Sequence, residues 1–330
     1  IRWLWPSAQA EGALCSCPVT AEALTGALHA MAQQDNTPFG VYVTSPDYLG
    51  GVQDIPALAA VCRAQGVPLL VDNAHGAYLR FLPQNCHPIA QGAVMCCDSA
   101  HKTLPVVTGG AYLHLAHDAP VQDEAAVRGA LALFGSTSPS YLILQSLDAC
   151  NAVLAGDYPR RLVQCCAALE GLRRSLNKAA AARQCPVPLA VAGAQQEPMK
   201  LTLDAAALGC TGTALAEALR RAQMECEYAD PRYVVLMFTS ENPPQDYTRL
   251  QATLEQLLAA VPAGLPRPEN RAGEFAALQQ QAVQRCTIRQ AVLGAQVRIP
   301  VHKALGRVCA MPTVSCPPAI PVAVSGEEIT

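Results

Sequence analysis

Pro68-Leu-Leu-Val-Asp72-Asn73-Ala74-His75-Gly76-Ala77 begins as an apolar run and ends on a carboxylate, an imidazole and a glycine. Its apolar start has no polar alternation, which predicts a strand buried on both faces, as in a parallel sheet. Upstream, Phe39-Gly-Val-Tyr-Val-Thr-Ser-Pro46 is a second such run, ended by Ser-Pro. Between the two, Asp54 has the position of an N-cap and Pro56 falls in the first helical turn. Ile55, Leu58, Ala59 and Cys62 share one face, and Gly66 stops the helix. Strand, helix and buried strand in that order make a parallel βαβ unit.

The alternation continues on both sides. Thr20 predicts the N-cap of a helix over 20–34. Short strands are expected at 93–97 and 109–115, joined by the polar segment Asp98-Ser-Ala-His-Lys-Thr-Leu-Pro105. Helices are expected at 122–134, at 139–155 (opened by Ser138-Pro139) and at 158–183. The pattern then changes. Met199-Lys-Leu-Thr-Leu203 alternates, helices are expected at 212–223 and 245–260, and a strand at 232–238. The Pro/Gly-rich stretch 261–268 marks a boundary, followed by a helix near 272–285 and a proline-rich end. The reading is α/β: a large domain with a mostly parallel sheet and helices on both faces (1–157), a linking helix with a small α+β domain (158–262), and a C-terminal region (263–330).

Composition narrows the function classes. The chain has 330 residues, 51% of them hydrophobic and 15% charged, enough apolar surface for a large core. A net charge of −3 and the lack of any Lys/Arg block give a nucleic-acid or anionic-membrane partner no electrostatic support. No apolar run is long enough to predict a membrane-spanning helix. The fifteen cysteines include no Cys-x-x-Cys and mostly sit in apolar surroundings, which reads as reduced core filler and a cytoplasmic protein.

Only four of the 23 basic residues are lysine: Lys102, Lys178, Lys200 and Lys303. Arginine carries surface charge equally well but never deprotonates to an amine nucleophile. Parallel α/β sheets hold ligands beyond the carboxyl ends of their strands. Two such ends are polar here, Asp72-Asn-Ala-His75 and Ser99-Ala-His101-Lys102. An acid at one end and a lone lysine past another suit pyridoxal phosphate. The acid keeps the ring nitrogen protonated so that the ring takes up electrons, and the amine holds the cofactor as a Schiff base. Taken singly, these residues have plainer readings: Asp72 as an N-cap or Asx-turn, His75 and His101 as loop histidines, Lys102 as a solvated surface group.

Three segments, Val43-Thr-Ser-Pro-Asp-Tyr-Leu-Gly50, 68–77 and 98–105, resemble the Orn/Lys/Arg decarboxylases, bacterial fold-type-I pyridoxal-phosphate enzymes. So do Thr137-Ser-Pro-Ser-Tyr141 with Ser146-Leu-Asp148, and Cys226-Glu-Tyr-Ala-Asp230 with Tyr233-Val-Val-Leu-Met-Phe238. The C-terminal Cys316-Pro-Pro-Ala-Ile-Pro321 with Gly326-Glu327 is similar to that family's signature. The resemblance implies that Lys102 is the Schiff-base lysine and that Asp72 pairs with the ring nitrogen. It implies that Ala74 packs on a ring face and that Ser99 and His101 lie on the phosphate side. His75 would touch the cofactor or position Asp72. Ser138 would reach a cofactor phosphate across a dimer interface, and Glu327 would help build the entrance or hold a substrate ammonium. The implied reaction is decarboxylation of lysine, arginine or ornithine to the amine, with Lys102 or a nearby histidine such as His101 returning the proton to the α-carbon. The implied assembly is a homodimer or larger homo-oligomer.

The chain departs from the family pattern at several positions. Asn73 stands in place of an acid, Ala100 of a threonine and Ala319 of a glycine. The first 38 residues contain no glycine-rich turn to cradle a phosphate. The chain therefore reads as an N-terminally truncated member that exposes a sheet edge and binds pyridoxal phosphate weakly or not at all. Another fold-type-I enzyme (an aminotransferase or a lyase) and a non-catalytic fragment or paralogue are the rival expectations.

Overall fold

The computed structural model describes residues 2–4, 15–136, 138–262, 264–266, 283–312 and 323–330. These fall into two compact units. The first is built from 1–5 and 18–268, the second from 6–17 and 269–330.

The first unit opens with helix α1 (Ala21–Ala32). The Thr20 hydroxyl accepts the Ala23 N–H, the capping bond its position predicts. Strand β1 (Val41–Thr44), helix α2 (Ile55–Ala64) and strand β2 (Leu69–Asp72) follow. Asp54 caps α2 at the Ala57 N–H, and Gly66 leaves it with φ +65°, a conformation that costs glycine nothing. Strand β3 (Met95–Asp98) ends in a single helical turn α3 (Ala100–Thr103), and strand β4 (Tyr112–Leu115) closes the sheet. The strand order is β1-β2-β3-β4. The first three are parallel and β4 is antiparallel to β3.

The expectation of strands buried on both faces is corrected. β1 and β2 alternate. Val41, Val43, Leu69, Val71 and Cys96 face α1 and α2 through Leu24, Leu28, Ile55, Leu58 and Cys62. The opposite face carries Tyr42, Leu70 and Asp72 and is more open, with Tyr42 62% exposed.

Helices α4 (Glu124–Ala132), α5 (Tyr141–Ala155) and α6 (Tyr158–Ala182) follow. The expected Ser138-Pro139 opening of α5 is also corrected: the cap position is Ser140, two residues later. A second sheet has the order β5-β7-β6, with β5 (Lys200–Asp204), β6 (Tyr228–Ala229) and β7 (Tyr233–Met237) all antiparallel. Helices α7 (Gly212–Arg221) and α8 (Pro244–Ala259) complete the unit. Leu162, Leu169 and Leu176 of α6, Leu254 and Leu258 of α8, and Leu201, Leu203 and Val234 form one core that also takes in Tyr78, Ala100 and Leu104. The turn that carries Lys102 is thereby anchored from below.

The alternation at 199–203 predicts one solvated face, yet every residue of β5 is buried. Lys200 Nζ donates to the Asp47 carbonyl at 2.7 Å, and Thr202 Oγ1 to the Leu49 carbonyl at 2.6 Å. The polar face of β5 is thus satisfied by the backbone of the loop after β1, which removes the cost of burying it.

In the second unit, helix α9 (Ile288–Leu293) starts with a capping box between Thr287 and Gln290. Short bridges join Gln284 to Glu327 and Val308 to Glu328, and Arg285 pairs with Glu328. Most of the helix expected near 272–285 and all of Cys316–Pro321 lie outside the described residues. None of the described cysteines is in a disulfide. Cys97 and Cys210 are exposed rather than core filler. No described helix is long and apolar enough to cross a membrane.

Candidate active site

The ends of β2 and β3 lie side by side, with Asp72 in register with Cys97. Asp72 is the last residue of β2 and half-buried. Its Oδ1 accepts the Ala74 N–H at 3.1 Å, an Asx-turn, and its Oδ2 accepts the Tyr42 hydroxyl at 3.1 Å. Burial and the Asp72 charge push the Tyr42 hydroxyl above its usual range, so it remains a donor. The turn and the tyrosine fix the carboxylate on the open face of the sheet, and Cys97 Sγ sits 3.8 Å from Oδ1.

His75 follows on the same turn and is 4% exposed. Its Nε2 is 3.2 Å from Lys102 Nζ. Its Nδ1 is buried with no hydrogen-bond partner among the described residues. Burial, then the charges of Lys200, Lys102 and His101, lower the imidazole to about 2, so the ring is neutral and accepts a hydrogen bond from the lysine. The Tyr48 ring stands edge-on to it, with centroids 4.9 Å apart.

Unfolded His75 takes up a proton below about pH 6.5, whereas folded His75 does not until about pH 2. The unfolded chain therefore binds more protons in that window, and stability falls as pH drops through it by about 1.4 kcal/mol per unit. Urea midpoints between pH 7 and pH 5 are expected to show a loss of about 2 kcal/mol that His75→Gln removes. An equal loss in both chains rules this out.

Lys102 lies on α3, half-buried. Ser99 occupies the cap position of that turn, and its side chain caps nothing. His101 Nδ1 lies 2.9 Å from the Gly110 carbonyl. Asp72, Ala74, His75, Ser99, His101 and Lys102 therefore come from two neighbouring strand ends. Ser138 is exposed in the loop between α4 and α5, bonded to Ser136. Glu327 belongs to the second unit and accepts the Val324 N–H at 3.0 Å.

One functional side chain was not singled out by its sequence. Lys200 is 1% exposed, with Nζ 5.6 Å from the Tyr48 ring centroid. Burial pushes its amine below the usual lysine range, against the pull of Glu197 and Asp47. Glu197 is equally buried. Burial pushes its carboxyl up, against Lys200, the Tyr78 hydroxyl it accepts and the Met199 N–H at 2.7 Å. The one signal in the sequence is its rarity, as one of only four lysines.

The uncharacterized protein YaaO of Bacillus subtilis (strain 168) is 30% identical over 301 residues, covering 88% of this chain and 59% of that protein. The arginine decarboxylase of the same strain is 27% identical over 299 residues, with the same coverages. The chain thus spans less than two-thirds of the length of these relatives. The constitutive lysine decarboxylase of E. coli superposes with a TM-score of 0.70 at 18% identity, covering 100% of this chain and 57% of that one. Mouse CSAD does so at 0.53 and 16% identity, covering 73% and 56%. The fold is that of the fold-type-I pyridoxal-phosphate enzymes. The family model described as the Orn/Lys/Arg decarboxylase major domain matches residues 3–196, more than half of the sequence, and the chain belongs to that family.

Proposed function

We propose that the protein carrying this chain decarboxylates a basic amino acid (lysine, arginine or ornithine) with pyridoxal phosphate held at Asp72, His75 and Lys102. The observation that carries the reading is Lys102 Nζ at 3.2 Å from a neutral, buried His75, beside a fixed carboxylate on the adjoining strand. The donor set fits the cofactor: an amine for its aldehyde, an acid for its ring nitrogen and an unused hydroxyl at Ser99. The buried His75 Nδ1 also lacks a hydrogen-bond partner among the described residues.

Bound pyridoxal phosphate supplies the sink for the electron pair of the breaking carbon–carboxylate bond. Asp72 holds the proton at the ring nitrogen, because its two oxygens are already oriented by Ala74 and Tyr42. Ala74 leaves room for a ring face, and Ser99 and His101 serve the phosphate side. His75 accepts from Lys102 Nζ and aims it without adding a second positive charge. Lys102 would hold the cofactor, and its Nζ would then give a proton to the α-carbon that has lost its carboxylate, which forms the amine. A second copy of the chain is the proposed partner. Phe134, in the turn after α4, is 93% exposed, and Tyr141 and Leu142 at the start of α5 are 83% and 72% exposed, on either side of Ser138.

The test is labelled carbon dioxide release from lysine, arginine and ornithine with added cofactor. Release from one of the three is expected. Formation of a keto acid instead, or binding of the cofactor without release from any, contradicts the reading.

A further inference from the structure

On the face of the first sheet opposite Asp72, four metal-ligating side chains converge. Cys96 and Asp98 are two apart on β3 and point the same way, and His114 on β4 lies in register with Cys96. His87 stands at the start of the short 3₁₀ helix Pro88–Gln91. His87 Nε2 and His114 Nε2 lie 3.1 and 3.0 Å from Asp98 Oδ2. Cys96 Sγ is 3.4 Å from Asp98 Oδ1 and 3.9 Å from His87 Nε2. The His87, Asp98 and His114 ligand atoms all fall within 4.8 Å of one another.

We propose that His87, Asp98, His114 and Cys96 form a binding site for a zinc-class divalent cation, distinct from the cofactor site. The spacing supports a tetrahedral ion. Ligand nitrogens and oxygens at about 2.0–2.1 Å from such an ion lie about 3.3 Å apart, and a thiolate at about 2.3 Å lies about 3.5 Å from them. The two imidazole–carboxylate separations of 3.1 and 3.0 Å lie close to the first value, and Cys96 Sγ at 3.9 Å from His87 Nε2 has to draw a few tenths of an ångström closer. Two imidazoles, a carboxylate and a thiolate are borderline-soft donors, which favours zinc or cobalt over magnesium or calcium.

Charge balance agrees. A divalent ion with one carboxylate and one thiolate is neutral, so no net charge is buried, and the thiol proton leaves to solvent. The surroundings supply outer support. Asn73 Nδ2 donates to Asp98 Oδ1 at 2.7 Å, which fixes the carboxylate and leaves Oδ2 facing both imidazoles. A carboxylate at position 73 would repel Asp98; the amide donates to it. His87, Cys96 and Asp98 are buried, whereas the His114 side chain is 39% exposed and offers an entry path. Metal binding also shifts protons: both Nε2 atoms now face the Asp98 carboxylate, so each imidazole must carry its proton on Nδ1 instead. The Ile89 N–H points at His87 Nδ1 from 3.4 Å, and that long contact must open.

The test uses the 330-residue chain, stripped with chelator under reducing conditions, loaded with Co²⁺ and dialysed. The expected result is close to one cobalt per chain, with the visible bands of a tetrahedral ion and a near-ultraviolet thiolate-to-cobalt band. His114→Ala, at a half-exposed position, is expected to weaken binding by at least about 100-fold, and His87→Gln to do the same. Cys96→Ser is expected to keep cobalt and lose the thiolate band. A wild-type chain that retains no cobalt overturns the proposal. So do equal cobalt content and spectra in wild type, His114→Ala and His87→Gln, which would assign the metal to other cysteines. A thiolate band that survives Cys96→Ser overturns the fourth ligand.

Discussion

Replacing Lys102 by alanine is expected to lower amine formation from the basic amino acid by at least about 10²–10⁴-fold, the range a positioned proton-transfer group supplies on its own. The loss follows from what no other described side chain can replace. Lys102 is the amine in contact with His75, at the end of the strand beside the one that carries Asp72. Arginine at the same position keeps the charge but offers no nucleophilic nitrogen, so Lys102→Arg is expected to be equally inactive. The pair of variants separates chemistry from charge. If Lys102→Arg retains more than about a tenth of the activity while Lys102→Ala does not, the lysine acts as a cation, and the amine role assigned to it fails.

Lys200→Met is expected to destabilise the fold by about 3–5 kcal/mol. Lys200 is buried, its Nζ serves the Asp47 carbonyl, and its charge offsets the buried Glu197 carboxylate. Without it, the carbonyl lacks its donor and Glu197 faces burial alone, which pushes its carboxyl still higher. The sign of the pH dependence follows. A carboxyl raised in the folded state contributes stability below its ordinary pKa and loses it as pH rises through the folded value. The loss in Lys200→Met is therefore expected to be largest at neutral pH and smaller in acid. The double variant Lys200→Met/Glu197→Gln is expected to recover the pH-dependent part of the loss, because the amide removes the uncompensated carboxylate, and to leave the part owed to the unserved Asp47 carbonyl. Urea unfolding of the two chains between pH 5 and pH 8 reads both effects. A single variant within about 0.5 kcal/mol of wild type contradicts the account, since surface substitutions behave that way.

The parts of this molecule that could be read from the sequence are those in which local chemistry and final environment agree. The βαβ unit was legible because Asp54, Pro56 and Gly66 punctuate α2 on their own, and because β1 and β2 are short apolar runs. The candidate site could be proposed from the sequence because Asp72 closes one such run and Lys102 lies four residues beyond another. What was not legible depends on distant partners. Lys200 and Thr202 look like solvated positions in an alternating strand. Only the loop carbonyls of Asp47 and Leu49, some 150 residues away, make them core. The two-sided burial expected of β1 and β2 failed for a related reason: an apolar run shows that a strand is sheltered without showing which elements lie over each face. His87, Cys96, Asp98 and His114 carry no spacing motif at all. An antiparallel register between β3 and β4 and a turn of 3₁₀ helix bring them together, and no local spacing announces that convergence.

The most direct measurement is to incubate the chain with excess pyridoxal phosphate, reduce with borohydride and map the labelled peptides. Only four lysines compete: Lys102, Lys178, Lys200 and Lys303. Reduction traps even a weakly held cofactor, so the result reports position rather than affinity. Label concentrated on Lys102 and lost on Asp72→Ala is the predicted result. Label spread over Lys178 and Lys303 with none on Lys102 would contradict it.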